Sequence, residues 1–494
     1  MKIALALGVC AVAAHSVAFA AANVDTSVPG QVTITVGVDD PDYTLQPADV
    51  TALGANNKLI KDGMGRLIIS TDIKAAYDGE IEIVAGYLRT TLNGALGGTT
   101  KGTVIKSGGT LEIEDNSTAV GGIHSGEPIT FEGTGVGGHG AIYVTKAGAS
   151  VLATDSRLFS GSKLTMTGDA TVGYSGDKAF DGTFALYYPI SKCFDMGKHT
   201  LTIQGGSNSG FYWVYSSDSD PGFVNQGNIV LAESCRKFTF RSSRLGGSSA
   251  NTFTVMGDTS LVFEDQSTYF WQLYQPTPWT LILKGNASFD IGPTLGKTGD
   301  EGGNGWCGPI RIEGSLTVNG RANVPARIHE KVSGPGGITV ASGTLKMQTQ
   351  DTPSKSCYVT NDYTGVTLVK SGATLIAKCM SQVPCDHGQL VVEDGGHVVI
   401  SGPTDPTATS RQATDAGLSV MTNSNFNAET ADVLINASVP VSPFTDPLVG
   451  PMTFGSCYGP AAGFELASSL SGGVAIHQNK GTKTTVTTGG EVGR

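Results

Sequence analysis

The chain has 494 residues, a formal net charge of -11 and 68 glycines, and only 15% of its residues are charged. The acidic balance opposes binding to nucleic-acid phosphates, and no basic cluster is present to overcome it, so the sequence argues against a nucleic-acid-binding protein. With 39% hydrophobic residues the chain has enough apolar surface to bury, which excludes a wholly disordered protein.

The first 20 residues are predicted to be an export signal. Lys2 supplies a positive charge, residues 3–14 are apolar, and the AFA of residues 18–20 fits an A-x-A cleavage site, although cleavage after Ala22 fits equally well. A spanning helix needs about 20 apolar residues, so this run is too short for an anchor. We therefore expect an exported protein with no transmembrane segment in the mature chain.

Residues 21–57 are predicted to form an N-terminal cap. Within them "QVTITVGV" alternates like a strand, and "DDPDYTLQPADV" is polar like a loop. A stack of strands needs such a segment to cover its first edge. Three carboxylates of this loop, Asp39, Asp40 and Asp42, are interpreted as solvated side chains, with weak Ca²⁺ binding as the alternative.

Residues 58–402 are predicted to be a repeat region. Apolar residues recur at every second position, as in "TLTIQGG" and "SLTVNG", which is typical of half-buried strands. A small turn recurs between them, as in "KSGGTL", "TGDATV", "MGDTSL", "KGNASF" and "KSGATL". Each turn places a glycine at a corner and an apolar residue at the start of the next strand. The turns recur about every 20 residues, with insertions, which favours stacked β-coils.

The predicted fold class is therefore all-β, a right-handed parallel β-helix (a β-solenoid) with end caps. One coil cannot bury its inner side chains alone, whereas stacked coils share a continuous apolar column. We expect Ile81, Ile83 and Val369 to face that column.

Two stretches of the sequence share nearly the same pattern: "YDGEIEIVAGYLR" from Tyr77 and "YTGVTLVKSGATL" from Tyr363. With "IKDGMGRLIIS" before the first copy and "GPGGITVASGTLKM" before the second, they resemble the autotransporter-associated β-strand repeat proteins of diderm bacteria. The resemblance covers residues 58–145 and 333–400. It rests on the following residues of the first copy: Lys61, Gly63, Gly65, Leu67, Tyr77, Gly79, Ile81, Ile83, Gly86 and Leu88.

The resemblance implies a parallel β-helix that is secreted or displayed on the outer cell surface. Autotransporters end in a membrane barrel, and residues 403–494 are expected to be too few for one. These residues are rich in proline and polar side chains. They are predicted to form a C-terminal cap or a small β-domain, and the sequence leaves both open.

Seven cysteines remain after the predicted signal, so at least one is unpaired or pairs with another chain. In "KCMSQVPCDHG" we predict a disulfide between Cys379 and Cys385 that closes a small loop. Metal binding by these two cysteines with His387 is the alternative, although the sequence offers no fourth ligand.

Aromatic residues gather in "GFYWVY" and "TYFWQLYQPTPW". Alternation along a strand would bury one set of rings and display the other. Displayed rings on a polar surface would suit the stacking of sugars, and burial in the core is the competing interpretation. The candidate glycan-binding residues are Trp213, Tyr215, Trp271, Tyr274 and Trp279.

The sequence offers no convergent catalytic set, so we predict no catalytic residue, no cofactor and no metal site. Asp218 and Asp220 are interpreted as loop carboxylates, and His124 and His139 as polar surface residues. The leading hypothesis is a secreted, non-catalytic β-solenoid with an adhesive or structural role. Its partners would be a glycan or a host or cell-surface component. The alternatives are a carbohydrate-active β-helix enzyme, a polysaccharide lyase or hydrolase, and a self-assembling filament or surface-layer subunit.

Overall fold

Parallel strands account for most of what the computed structural model describes. It describes residues 22–40, 42–114, 126–146, 162–175, 183–187, 194–205, 210–214, 223–241, 251–264, 279–292, 304–306, 308–321, 324–347, 361–377, 382, 390–392, 396–400, 426–428, 432–435, 452–454, 463–466, 476–478 and 483–486.

The described residues contain one α-helix, α1 (Pro47–Leu53), and one short 3-10 turn over Val136–Gly138. The strands of the N-terminal half are β1 (Asn23–Asp25), β2 (Gln31–Thr35), β3 (Tyr43–Thr44), β4 (Lys58–Asp62), β5 (Arg66–Ile69), β6 (Ile81–Thr90), β7 (Thr103–Glu114), β8 (Ile129–Gly133), β9 (Ile142–Lys146), β10 (Leu164–Tyr174), β11 (Thr183–Tyr187), β12 (Phe194–Asp195), β13 (Leu201–Gln204), β14 (Gly210–Val214), β15 (Phe223–Val224), β16 (Ile229–Leu231), β17 (Lys237–Arg241) and β18 (Thr252–Val255).

The remaining strands are β19 (Thr259–Glu264), β20 (Thr280–Leu283), β21 (Asn286–Ile291), β22 (Asn304–Trp306), β23 (Ile310–Ile312), β24 (Ser315–Asn319), β25 (Ala326–Ile328), β26 (Val332–Ser333), β27 (Gly337–Ser342), β28 (Thr344–Met347), β29 (Thr367–Val369), β30 (Thr374–Ala377), β31 (Leu390–Val392), β32 (His397–Ile400), β33 (Phe426–Ala428), β34 (Asp432–Ile435), β35 (Met452–Phe454), β36 (Gly463–Leu466), β37 (Ile476–Gln478) and β38 (Lys483–Val486).

These strands form three sheets of 18, 12 and 8 strands within the described residues. β1 and β2 pair antiparallel, and the other described strand pairs run parallel. The second sheet is ordered β11-β14-β17-β19-β21-β24-β27-β29-β31-β33-β35-β37, so the chain leaves it after each strand and returns beside the same strand. The all-β class is confirmed, and the sheets are parallel as expected.

The number of residues between paired positions gives the length of chain that separates neighbouring strands of a sheet. Leu67 pairs with Leu88, Leu88 with Leu111, and Leu111 with Ile142. Across the described pairs the interval is about 20 to 35 residues, which extends the sequence-based estimate of about 20 upward. The insertions lie between strands and leave the in-register pairing intact.

Apolar residues occupy the inward positions of the paired strands and stack on one another. In the second sheet Phe238, Leu261, Phe289, Val318 and Val340 follow one another in register, each at most 2% exposed. The expected inward residues Ile81, Ile83 and Val369 are each 0% exposed. In-register stacking explains how so many short strands share one core, because each ring or branched side chain contacts the one in the next strand.

A column of glycines marks the corner that leads into the second sheet. A Cβ on Gly285 would lie 2.5 Å from the carbonyl carbon of Gly257, and one on Gly314 would lie 2.2 Å from the oxygen of Gly285. The same holds for Gly336 against Gly314 at 2.1 Å and for Gly365 against Gly336 at 2.3 Å. Backbones pack directly on each other here, so these positions exclude any side chain.

Other predicted turns are bends inside long strands. "KSGGTL" lies within β7 and "TGDATV" within β10, and the register shifts beside these bends, between Ile83 and Ala85 of β6 and between Met166 and Ala170 of β10. The backbone pairing therefore continues through a bend that the sequence indicated as a break. Such irregularities act as β-bulges that turn the strand without ending it.

At the two ends of the chain, parallel pairing extends into the residues that the sequence analysis assigned to caps. β2 pairs in parallel with β4, so the first parallel strand lies before residue 57, with β1 along its outer side and Leu53 of α1 buried. After residue 402, β33 and β34 pair in parallel with β31 and β32. Although the amino-acid composition changes after residue 402, these strands continue the same two sheets.

Candidate functional site

Charged side chains line the outward face of β5, β6 and β7. Arg89 and Glu112 are register partners on neighbouring strands, and each lies between two buried residues, Leu88 and Thr90 for Arg89 and Leu111 and Ile113 for Glu112. Because neighbouring parallel strands lie about 4.8 Å apart, outward residues in register meet as pairs. We call Asp42, Arg66, Arg89, Glu112 and Glu114 the charged column.

Glu112 is the centre of the charged column. Its Oε2 accepts a hydrogen bond from Arg66 Nε at 2.6 Å, and its Oε1 accepts one from Arg89 Nη2 at 2.8 Å. The Glu112 side chain is 2% exposed, whereas the two arginine side chains are 25% and 23% exposed. The two guanidinium groups therefore cover the carboxylate and replace its water.

The outer members of the charged column complete a chain of alternating charges. Arg66 Nη1 donates to both carboxylate oxygens of Asp42 at 3.1 Å, and Arg89 Nη1 lies 2.9 Å from Oε2 of Glu114. Burial opposes the charge of Arg66, but its hydrogen bonds to Glu112 and Asp42 outweigh that effect and raise the pKa of the guanidinium.

Aromatic rings flank the charged column. The Arg66 guanidinium lies 5.0 Å from the centre of the half-buried Tyr87 ring. Burial, and then the charge of Glu112, raise the pKa of Tyr87, so its phenol stays neutral. Further along the same face Tyr143, the register partner of Glu112, stacks on His139 with ring centres 4.9 Å apart.

A glycine-rich loop, residues 134–140, is held against this face through Thr110. The Thr110 hydroxyl donates to the carbonyl oxygen of Gly140 at 3.0 Å and accepts from the backbone N–H of Val136 at 2.8 Å. Thr110 is fully buried as a result. The loop thereby fixes His139 beside Tyr143 at the edge of the charged column.

The arrangement is suited to polar contact more than to acid–base chemistry. Both oxygens of Glu112 already accept hydrogen bonds from arginines, so this carboxylate has no free oxygen for a substrate. Asp42, Glu114 and the flanking rings are partly exposed and lie at the surface. Carboxylates, guanidinium groups and ring faces together match the hydroxyls and apolar faces of sugars.

The predicted loop carboxylates take different roles. Asp40 Oδ2 accepts the backbone N–H of Gly37 at 2.6 Å and so closes a turn, and Asp39 is exposed. Asp42 belongs to the charged column through Arg66, a partner that the sequence did not indicate. His139 is an exposed residue, as expected, and it also carries the ring contact with Tyr143.

Trp279 requires a correction as a candidate sugar-stacking residue. It is 0% exposed, so its ring cannot meet a ligand at the surface. It continues an inner aromatic stack in which Phe131–Phe194, Phe194–Phe223 and Phe223–Trp279 have ring centres 5.9, 5.2 and 6.4 Å apart. The competing interpretation, burial in the core, is the one that applies at this residue.

The other candidates of the sequence analysis stay predictions. Trp213 lies in β14, where its register partner is Phe240 of β17. The following lie outside the described residues: Tyr215, Trp271, Tyr274, Cys379, Cys385, His387, Asp218, Asp220 and His124. Among the described residues Cys235 is a free, buried thiol, and burial raises its pKa to about 12.

Sequence reasoning missed the charged column because successive members from Asp42 to Glu112 are 23 or 24 positions apart and only the register joins them. A signal was present: Arg89 and Glu112 occupy equivalent outward places in the two copies of a turn that begin at Gly86 and Gly109. Aligning those turns would have paired them.

No helix among the described residues has the length and hydrophobicity needed to cross a membrane. No group of three or more His, Cys, Asp or Glu side chains there is placed to hold a metal ion. No family model, no curated protein and no solved structure matches the chain.

Proposed function

We propose that the chain is a right-handed parallel β-helix with end caps, related to the autotransporter-associated β-strand repeat proteins. Its function would be that of a non-catalytic adhesive or structural protein outside a diderm bacterial cell. The pattern of Lys2 and the AFA of residues 18–20 supports export. The charged column is the surface that we propose contacts a glycan or another cell-surface component.

The observation that carries the proposal is the repeated parallel pairing of short strands, largely in register, with about 20 to 35 residues between paired positions. A chain that returns repeatedly to the same sheet would wind around a core, and two corners support this proposal locally. Tyr77 is buried and donates to the carbonyl oxygen of Glu80 at 2.8 Å, and Tyr363 is buried with its hydroxyl 2.6 Å from Thr367 Oγ1. In both copies of the repeated sequence motif, a buried tyrosine therefore makes a hydrogen bond at the corner.

Shape is the first test of this proposal. Stacked coils about 4.8 Å apart predict a monomeric rod on the order of 80–100 Å long. Electron microscopy and small-angle X-ray scattering of the purified protein measure this directly. A globular particle would contradict the β-helix, and filaments or sheets would replace the rod by a self-assembling subunit.

Glycan binding is the second test. On a glycan array, we expect wild-type protein to bind and the variants Tyr87→Ala and Tyr143→Ala to lose at least tenfold in affinity. Trp213→Ala and Trp271→Ala test the aromatic residues predicted from the sequence. Trp279→Phe is the matched control, because its buried ring has no surface to lose. Absence of binding across the array would end the sugar-contacting role and leave the structural one.

A carbohydrate-active enzyme is the second candidate, and one observation favours it: five charged side chains converge on a single outward face. Against it, Glu112 is enclosed by two arginines. Incubation with acidic and neutral polysaccharides, followed by measurement of new reducing ends, separates the two functions. If the wild type cleaves a polysaccharide and Asp42→Asn or Glu114→Gln abolishes the cleavage, the protein is an enzyme and the non-catalytic proposal is wrong.

A further inference from the structure

Glu127 is a buried acidic residue that lies outside the charged column. It precedes β8, is 3% exposed, and its Oε1 accepts a hydrogen bond from Thr103 Oγ1 at 3.0 Å. Its other oxygen, Oε2, is buried and has no hydrogen-bond partner. An ionised carboxylate in this position would have lost its water and gained one neutral donor, which is far less than a buried charge requires.

The surroundings of Glu127 do not compensate a negative charge. Thr103 stands in the apolar ladder of the first sheet, between Ile81 and Ile129. The charged groups that act on Glu127 are Asp78, which disfavours its ionisation, and Lys74, whose opposite effect is smaller. The phenol of Tyr77 is also near enough to sense the charge of Glu127. Among the described side chains, none forms an ion pair with this acid.

We propose that Glu127 and Thr103 form a proton-dependent latch, in which the protonated carboxyl of Glu127 stabilises the joint between β7 and β8 and loss of its proton loosens that joint. The backbone at the joint is continuous with the sheet, because the N–H of Thr103 donates to the carbonyl oxygen of Pro128 at 2.8 Å. The neutral acid is the form that fits.

The direction of the pH effect follows from the pKa shift of Glu127. Burial raises the pKa of Glu127 from its ordinary value to about 8. The folded chain therefore holds the proton more tightly than the unfolded chain. The stability that this provides is complete below about pH 4.5 and is lost as the pH rises to about 8. Over that window the unfolding equilibrium constant of this region should rise on the order of 10³-fold from this group alone.

Hydrogen exchange of the full chain, analysed by peptide and expressed as protection factors between pH 5 and pH 9, tests the latch. In the wild type we expect protection of residues 103–105 and 129–131 to fall across this range. Glu127→Gln keeps the shape and the acceptor for Thr103 but cannot ionise, so its protection should be independent of pH. The matched control is Glu132→Gln, because Glu132 lies in β8 and also accepts from a threonine, Thr167, but at the exposed surface. It should keep the wild-type profile.

A second variant tests the mechanism even if Glu127→Gln does not fold. Thr103→Val removes the one hydrogen bond that favours the ionised carboxylate, so it should move the loss of protection to higher pH. A wild-type profile that is flat at both strands, or one that Thr103→Val leaves unmoved, would overturn the latch. It would mean that Glu127 is ionised and solvated in place. The shape and glycan-binding results of the preceding section do not depend on this outcome.

Discussion

At the scale of single residues, the glycine column at the corner that leads into the second sheet has no room for a side chain. A Cβ on Gly314 would lie 2.2 Å from the carbonyl oxygen of Gly285, which also accepts a hydrogen bond from the backbone N–H of Ser315 at 3.3 Å. Strain of this kind comes from packing of backbone on backbone, since Gly314 does not have a positive φ. A methyl group here must displace the neighbouring strand.

Gly314→Ala should therefore lower the free energy of unfolding by about 3 kcal/mol, the upper range for overpacking. Gly372→Ala is the control, because a Cβ there meets nothing within 4 Å and only its φ of +75° opposes a side chain. That control should cost about 1 kcal/mol. Chemical denaturation followed by circular dichroism compares them, and equal losses would mean that the glycine column is not tightly packed.

Lys61 shows how a charged residue can occupy an inward place. It is 0% exposed and stands in register between Ile34 and Ile83. Its ammonium donates to the backbone carbonyl oxygens of Asp62 at 2.8 Å, Gly63 at 2.6 Å and Ala85 at 3.0 Å. Burial lowers its pKa to about 8. The lysine that opens the resemblance motif thus satisfies carbonyls at the corner formed by two turns.

At the scale of elements, neighbouring strands are joined outside the core by the charged column. Glu112 holds Arg66 of β5 and Arg89 of β6 to its own strand, β7. A buried carboxylate with two charge-assisted hydrogen bonds is well compensated, but removing its charge leaves two partly covered guanidinium groups without their shared partner.

Glu112→Gln should lower stability by about 2–3 kcal/mol, and the loss should persist in 0.5 M salt because salt screens buried charges poorly. Glu114→Gln is the control: Glu114 is 27% exposed and contacts one arginine, so its loss should stay below about 1 kcal/mol and shrink with salt. The measurement is denaturation at two salt concentrations. A Glu112→Gln loss that vanishes in salt would show that the column is an ordinary surface network.

At the scale of the whole molecule, most contacts between described strands join neighbours in a sheet, and side chains such as Phe253 and Trp306 also pack between sheets. β24 pairs with β21 on one side and β27 on the other. In such an arrangement stability is close to a sum of local and nearest-neighbour terms, and a local defect spreads only to adjoining strands.

Gly314→Ala should consequently increase hydrogen exchange in β21, β24 and β27 while leaving β4 and β5 unchanged. For Glu112→Gln we expect hydrogen exchange to increase in β5, β6 and β7 and to stay unchanged in β21, β24 and β27. Peptide-resolved exchange of both variants gives the comparison. Uniform loss of protection along the chain would show a single cooperative unit and contradict the proposed stacked architecture.

The sequence predicted much of the fold and little of the site. Alternation identified the strands and their inward residues, including Ile81 and Val369, because burial of one sheet face imposes a period of two. Corner glycines were visible because no other residue fits there. The charged column was not predicted, since Glu112 and its two arginines are joined by register alone. Trp279 was misassigned because alternation gives two faces without saying which one is covered.

What the sequence by itself determined is local: strands, corners, an acidic and sparsely charged surface, and a repeated turn with a buried tyrosine. These follow from short-range rules of backbone geometry and apolar periodicity. Only the tertiary structure decided which strands lie side by side, and hence that Arg66, Arg89 and Glu112 meet, that Trp279 is in the core, and that Glu127 is enclosed beside Thr103. The reason is that insertions of variable length separate the strands, so the distance along the chain does not give the register that sets these contacts.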